Sequence, residues 1–186
     1  MLRAVTEPRA DETSLVTRAA GGDDAAFETL VRAHSPRVWR VALRILGNEQ
    51  DAGDVLQDTF LAAWRALPRF RLGNPLAPWL ATIAANRALN FLRARRRRAD
   101  EPVGEQADPR DDPAASSARA DEARAVYRAV AALPAAHRAV VVLHYTEDLS
   151  CAAIAEALGM SLAAVKVTLF RARGRLRDLL EKEATP

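Results

Sequence analysis

The chain has 186 residues, 49% hydrophobic and 27% charged, with 27 Lys and Arg against 24 Asp and Glu for a net charge of +3. That length holds one domain or two small ones. A single cysteine excludes an intramolecular disulfide, and no apolar run approaches the length of a membrane span. The pI is near 9.6, so the placement of the bases carries more information than the net charge. Arg gathers at positions 93 and 95–98 and again from Arg171 to Arg177. Between these clusters, Asp100, Glu101, Glu105, Asp108, Asp111, Asp112, Asp121 and Glu122 face only Arg110 and Arg119. Basic, acidic, basic is the layout of a nucleic-acid binder with a spacer.

The opening MLRAVTEPRADET has no hydrophobic core of a signal peptide. Together with the lone Cys151, this predicts a reducing, cytoplasmic setting without membrane insertion. From about Ser14 to Arg98, apolar residues recur at three- and four-residue steps in an Ala- and Leu-rich background, the pattern of helices. Leu15, Ala19, Ala26, Phe27 and Leu30 mark a helical pair interrupted at Gly21-Gly22. Val38, Val41, Ala42 and Ile45 continue the pattern to Gly47-Asn48. A helix is predicted from Gln50 to Leu67 with Leu56, Phe60, Ala63 and Leu67 inside. Pro68 to Pro78 is predicted as a loop, and a last helix runs from Trp79 to about Arg97.

Opposite the inner stripe of the Gln50–Leu67 helix, Asp51, Asp54 and Asp58 fall on one side beside Gln57. The residues alone leave open a solvated face, a surface for a basic protein, or paired carboxylates for acid–base or metal chemistry. No nearby His, Gly-rich phosphate loop or activated nucleophile supports the chemistry. His34, His137 and His144 have no second ligand at useful spacing, so neither metal nor cofactor is expected. Asn86 stands on an Ala-rich segment. It is either a reader that offers donor and acceptor to a base edge, or a half-buried group satisfying a helix end.

Ala99 to about Ala120 contains Pro102, Pro109, Pro113 and many acids, and is predicted to be a flexible linker. A second helical unit follows from Asp121, with Val126, Val130 and Leu133 before Pro134 and Val140, Val141 and Leu143 after it. Ser150 caps a short helix, Cys151 to Leu158. Gly159 supplies a left-handed turn, Ser161 caps the next helix, and Ala155 and Val165 occupy the small and buried positions of a helix-turn-helix. Val165, Leu169, Ala172, Leu176 and Leu180 form its stripe. Lys166, Arg171, Arg173, Arg175 and Arg177 lie off the stripe, with no acid before Asp178, which points to DNA.

The run DAGDVLQDTFLAAWRALPRFR resembles the core-polymerase-binding segment of the extracytoplasmic-function (ECF) sigma factors, group IV of the sigma-70 family. LAPWLATIAANRALNFLRARRRR is similar to that family's −10-recognition segment. ALPAAHRAVVVLHYTEDLSCAAIAEALGMSLAAVKVTLFRARGRLR is similar to its −35-binding domain. The resemblance implies an all-α protein of two small helical domains. Residues 14–98 would bind core polymerase and the −10 element, 99–120 would be the linker, and 121–183 would bind the −35 element. It implies a promoter-directing polymerase subunit, not an enzyme, with an anti-sigma factor as regulator and no sensor domain after Glu183. Asp51, Asp54, Gln57 and Asp58 would face core RNA polymerase, docking on the β′ clamp helices, with the β flap as a further polymerase contact. Asn86 would read a flipped −10 base and Arg93, Arg95, Arg96 and Arg97 hold phosphates. Lys166, Val167, Thr168, Phe170 and Arg171 would face the −35 major groove, with Arg173 on phosphate. Two departures stand out. Gly53 replaces a frequent Glu, and Ala163-Ala164-Val165-Lys166-Val167-Thr168 replaces a more polar start of the recognition helix, so Val167 or Thr168 would meet a thymine methyl instead. The rival readings are a helix-turn-helix operator-binding regulator without polymerase docking and a nucleic-acid-processing enzyme using the acidic cluster.

Overall fold

The computed structural model of the protein describes residues 10–98 and 118–184, and every regular element among them is helical. Four helices, α1 (Ala10–Ala20), α2 (Asp24–Leu46), α3 (Glu49–Ala66) and α4 (Leu76–Arg98), form the first unit. Four more, α5 (Ala118–Ala131), α6 (Ala135–Tyr145), α7 (Cys151–Leu158) and α8 (Leu162–Ala184), form the second. The linker expected at 99–120 lies outside the described residues except at its end, where α5 begins three residues before the expected boundary.

Local chemistry sets most of these limits. The Asp23 carboxylate accepts from the Ala26 amide to start α2, and Gly47, at φ 74°, ends it. The Asn48 side chain accepts from the Asp51 amide and starts α3. Pro36 sits inside α2 at an exposed position and costs one backbone bond without ending the helix. Besides the start of α5, and of α1 at Ala10 where helix was expected from about Ser14, two boundaries inside the first unit differ from the sequence expectation. α3 passes into a single 3-10 turn at Leu67–Arg69. α4 begins at Leu76, not Trp79, because Pro78 falls in its first turn, where its missing N–H had no helical partner to lose.

The core of the first unit is built from Ala26, Leu30, Val38, Val41 and Ile45 of α2, Ala52, Val55, Phe60 and Ala63 of α3, and Leu80, Ala84, Ala85 and Ala88 of α4. The buried stripe of α3 thus runs through Ala52 and Val55. Leu56, expected inside, is only partly buried and faces outward to a groove. Gly53 lies mid-helix, and a Cβ built there meets nothing within 4 Å. Gly53→Ala is therefore expected to stabilise the protein by about 1 kcal/mol by removing the glycine penalty, raising the melting temperature by roughly 2–4 °C in a thermal scan. An unchanged or lower midpoint would mean that α3 tolerates no added side chain at this point.

The second unit buries Leu133, Val140, Val142, Leu143, Ile154, Val165, Leu169 and Ala172. The two units do not stand apart: α6 packs on α2 and α4, α7 on α4, and α5 on α2, so the buried apolar residues form one continuous cluster.

Candidate polymerase and nucleic-acid faces

Three charged or polar surfaces were anticipated, and the fold places each. On α3, Asp54, Gln57 and Asp58 are exposed on one side of the helix. Asp51 is not available in the same way. Its Oδ2 accepts from Arg95 Nη1 at 2.8 Å, joining the start of α3 to the end of α4. Two residues expected to serve different partners thus hold each other. The pair is partly solvent-exposed, with the Arg95 side chain 45% accessible, so it stabilises by at most about 1 kcal/mol.

Beside this face lies a surface feature that sequence periodicity missed. A groove of about 590 Å³ between α2 and α3 is lined by Phe27, Val31, Leu56, Phe60, Leu61 and Trp64 together with Gln57 of the acidic face. Phe27 meets Phe60 edge-on at 6.3 Å and Trp64 at 4.7 Å, which shapes the groove floor, while Leu61 is 57% exposed at its lip. The only advance signal was Leu61, an apolar residue one turn beyond Gln57 and off the inner stripe.

The second surface is on α4. Phe70 packs against Trp79 with ring centroids 4.8 Å apart and planes tilted by 56°, bracing the loop in which Gly73 adopts φ 93° and Arg71, Leu72 and Asn74 are exposed. Arg93, Arg96 and Arg97 are exposed, and Arg93 Nη1 donates to Asn90 Oδ1 at 2.8 Å. Asn86 is half-buried. Its Nδ2 donates to Thr82 O of its own helix at 3.1 Å and to Ala157 O of α7 at 2.6 Å. Of the two readings open from sequence, the helix-end reading describes what Asn86 does in this arrangement, and the helix is one in the other unit.

The third surface is the helix-turn-helix. The Ser150 hydroxyl accepts from Ala153 N and that of Ser161 from Ala164 N, both at 3.1 Å, and Gly159 turns the chain at φ 63°. The chain bends by 109° between α7 and α8, within the helix-turn-helix range. Val165, Leu169 and Ala172 are buried, which leaves Lys166, Val167, Phe170, Arg171 and Arg173 exposed and Thr168 half-buried. Phe170 is 77% accessible, a large apolar ring exposed to solvent. Tyr145, which nothing in the sequence marked, sits beneath Arg173. Arg173 Nε donates to the phenolic oxygen, and the guanidinium carbon lies 5.6 Å from the ring centroid. Burial, together with the positive field of Arg171 and Arg175, pushes the His137 imidazole below its ordinary range, so it is neutral at physiological pH.

Among the described residues no group of three His, Cys, Asp or Glu is placed to hold a metal ion. Among the described residues, no single helix is long and apolar enough to cross a membrane.

Residues 30–98 match the Sigma-70 region 2 family and residues 123–176 the Sigma-70, region 4 family. The chain is 35% identical to the ECF RNA polymerase sigma factor SigE of Mycolicibacterium smegmatis, over 96% of this chain and 72% of that protein. It is 32% identical to the RNA polymerase sigma factor CnrH of Cupriavidus metallidurans, over 95% of this chain and 98% of that one. Among solved structures it is similar to CnrH in complex with the cytosolic domain of CnrY, with a TM-score of 0.64 and 30% identity over 94% of this chain and 99% of that one. It is also similar to the sigma factor RpoE of Bartonella quintana in complex with the anti-sigma factor NepR, with a TM-score of 0.69 and 26% identity over 83% and 96% of the two chains.

Proposed function

The chain belongs to the ECF sigma factors of the sigma-70 family, and we infer from this that it binds core RNA polymerase and directs it to a specific set of promoters, the polymerase supplying all the chemistry. The observation that carries the reading is the order of three surfaces along one chain: an exposed acidic face, a loop and basic helix around Asn86, and a basic helix-turn-helix, spread over the two matched regions.

In this reading residues 14–98 form the polymerase- and −10-binding domain, and residues 121–183 the −35-binding domain. Asp54, Gln57 and Asp58 dock on the β′ clamp helices, and the β flap holds the second domain. Asn86 reads a base extruded from the −10 element, with Arg93, Arg96 and Arg97 on the backbone. Lys166 and Arg171 contact the −35 element through base edges or phosphates. Val167, Thr168 and Phe170 give apolar contact, and Arg173, braced by Tyr145, contacts phosphate. The work is cytoplasmic. An anti-sigma factor holds the protein inactive, as the complexes of the similar RpoE and CnrH suggest.

The test is run-off transcription from a genomic promoter library with core polymerase of the native host, with and without the purified protein. New start sites sharing −10 and −35 elements are expected. Sequence-specific DNA binding without new transcripts would replace the reading with an operator-binding regulator. Within that assay Arg171→Ala is expected to weaken −35-dependent binding by about 1–3 kcal/mol. Equal transcription from intact and −35-scrambled promoters by the unsubstituted protein would remove Arg171 from the interface.

A further inference from the structure

The recognition helix α8 presents an apolar stripe to solvent on the side away from its own core. Val165, Leu169 and Ala172 are buried. At about 100° per residue, the opposite side carries Ala163, Val167, Phe170 and Gly174, at steps of four, three and four. Val167 is 47% exposed and Phe170 more so, and Thr168 is half-buried to one side of the stripe. Two large apolar side chains one turn apart on an outward face make a patch, not a scattered surface residue.

The ends of the stripe are small, so Val167 and Phe170 stand proud of it. Gly174 sits mid-helix, where glycine weakens a helix relative to alanine, and a Cβ built there meets nothing within 4 Å. Packing inside the protein does not call for a glycine at this point, whereas close approach to the helix from outside does. Cations line both flanks. Lys166, Arg173 and Arg177 are exposed on one side and Arg171 and Arg175 on the other, with no acid from Lys166 to Arg177. Tyr145 holds Arg173 to its flank. An apolar ridge between two rows of cations complements the major groove, where base edges lie between two rows of phosphates. The groove, about 12 Å wide, admits a helix of roughly 10–12 Å diameter.

The ridge itself carries no side-chain hydrogen-bonding group. It is blind to the donors and acceptors that distinguish base pairs, and the major-groove feature that favours an apolar side chain is the C5-methyl group of a pyrimidine. We propose that Val167 and Phe170 are specificity-determining residues of the −35 interface and read thymines by their C5-methyl groups, the hydrogen bonds coming only from the flanking cations. The proposal rests on the assignment of the helix-turn-helix to the −35 element. Residues three apart on a helix have Cβ atoms about 5–6 Å from each other, against a rise of about 3.4 Å per base pair. With α8 lying along the groove, the two side chains meet base pairs one or two steps apart, so the element carries a thymine on either strand at each of two such positions.

The test uses holoenzyme reconstituted from the full chain and core polymerase, on the strongest promoter duplex recovered by run-off transcription. Each thymine of its −35 element is replaced in turn by deoxyuridine, which removes the methyl group and leaves every hydrogen-bonding edge in place. At two positions one or two base pairs apart, binding is expected to weaken about three- to fivefold each, the scale of one buried methyl group. Cytosine at those positions, paired with guanine, is expected to bind more weakly still, and 5-methylcytosine to recover about the same factor over cytosine. Val167→Ser and Phe170→Ala, both at exposed positions, are each expected to abolish the thymine-over-uridine preference at one position and keep it at the other. A −35 element without thymine, or equal binding of thymine and uridine duplexes while scrambling still costs affinity, overturns methyl readout and leaves the −35 assignment standing. Binding to 5-methylcytosine tighter than to thymine overturns thymine as the target. A preference kept in both variants overturns the roles of Val167 and Phe170. Binding indifferent to the −35 sequence overturns the −35 assignment itself, and the proposal with it.

Discussion

Reversing both exposed carboxylates of the acidic face, as Asp54→Arg with Asp58→Arg, is expected to abolish assembly with core RNA polymerase while leaving the fold and DNA binding intact. Both side chains are solvent-exposed on α3, opposite its buried stripe, so the substitutions disturb no packing. At a docked interface, each reversal replaces an attraction with a repulsion between groups that have lost their water. Like-charge juxtaposition of this kind costs several kcal/mol. A loss of at least about 3 kcal/mol, a hundredfold or more in affinity, is the expected scale. The internal control is Asp51. Because its carboxylate is paired with Arg95, Asp51→Asn is expected to change polymerase affinity by no more than about fivefold, the roughly 1 kcal/mol ceiling of a partly exposed ion pair. Pull-down or calorimetric titration with core enzyme reads both variants. Retained assembly of the double reversal would move the polymerase contact off α3, and an equal loss in Asp51→Asn would mean that the Asp51–Arg95 pair opens on docking.

The helix-turn-helix was legible to the residue because its signals are local. Ser150, Gly159 and Ser161 act on amides and dihedrals within three positions of themselves, and buried Val165 follows from the spacing. The same locality explains the capped starts of α2 and α3. Pro78 misled because proline excludes a helix interior but not its first turn, and the sequence does not say which of the two it occupies. Contacts that depend on the fold left no trace in periodicity. Asp51 and Arg95 are 44 residues apart, Asn86 and Ala157 are 71, and Arg37 and Glu147 are 110. That Asn86 would satisfy a helix end was one of its two sequence readings, but that the end belongs to α7 required the two units to be packed together. The groove beside Gln57 was hidden for a different reason. Leu56 sits at the edge of the buried stripe and reads as core until the neighbouring helix is in place, and Leu61 lies off the stripe.

Substitution of Asn86 separates its two roles, because the two contacts respond differently to the same change. Asn86→Ala deletes the donors that a −10 base would use and the donor that holds Ala157 O. The contact with α7 is lost together with base reading. Loss of a good base contact removes about 1–3 kcal/mol of discrimination, so a preference of roughly 5- to 150-fold at one −10 position is expected to flatten. Asn86→Asp goes further. A carboxylate offers no donor to Thr82 O or Ala157 O, places negative charge at the negative end of α7, and repels the phosphates held by the neighbouring arginines. It is therefore expected to loosen the contact between α4 and α7 more than Asn86→Ala does and yet to transcribe less. The measurement is abortive initiation by reconstituted holoenzyme on promoters carrying each of the four bases at every −10 position, with polymerase affinity measured alongside. A flattened profile at one position with unchanged assembly assigns that base to Asn86. A profile of unchanged shape in both variants would leave Asn86 as a partner of α7 alone, because a base reader cannot lose both amide hydrogens and keep its preference.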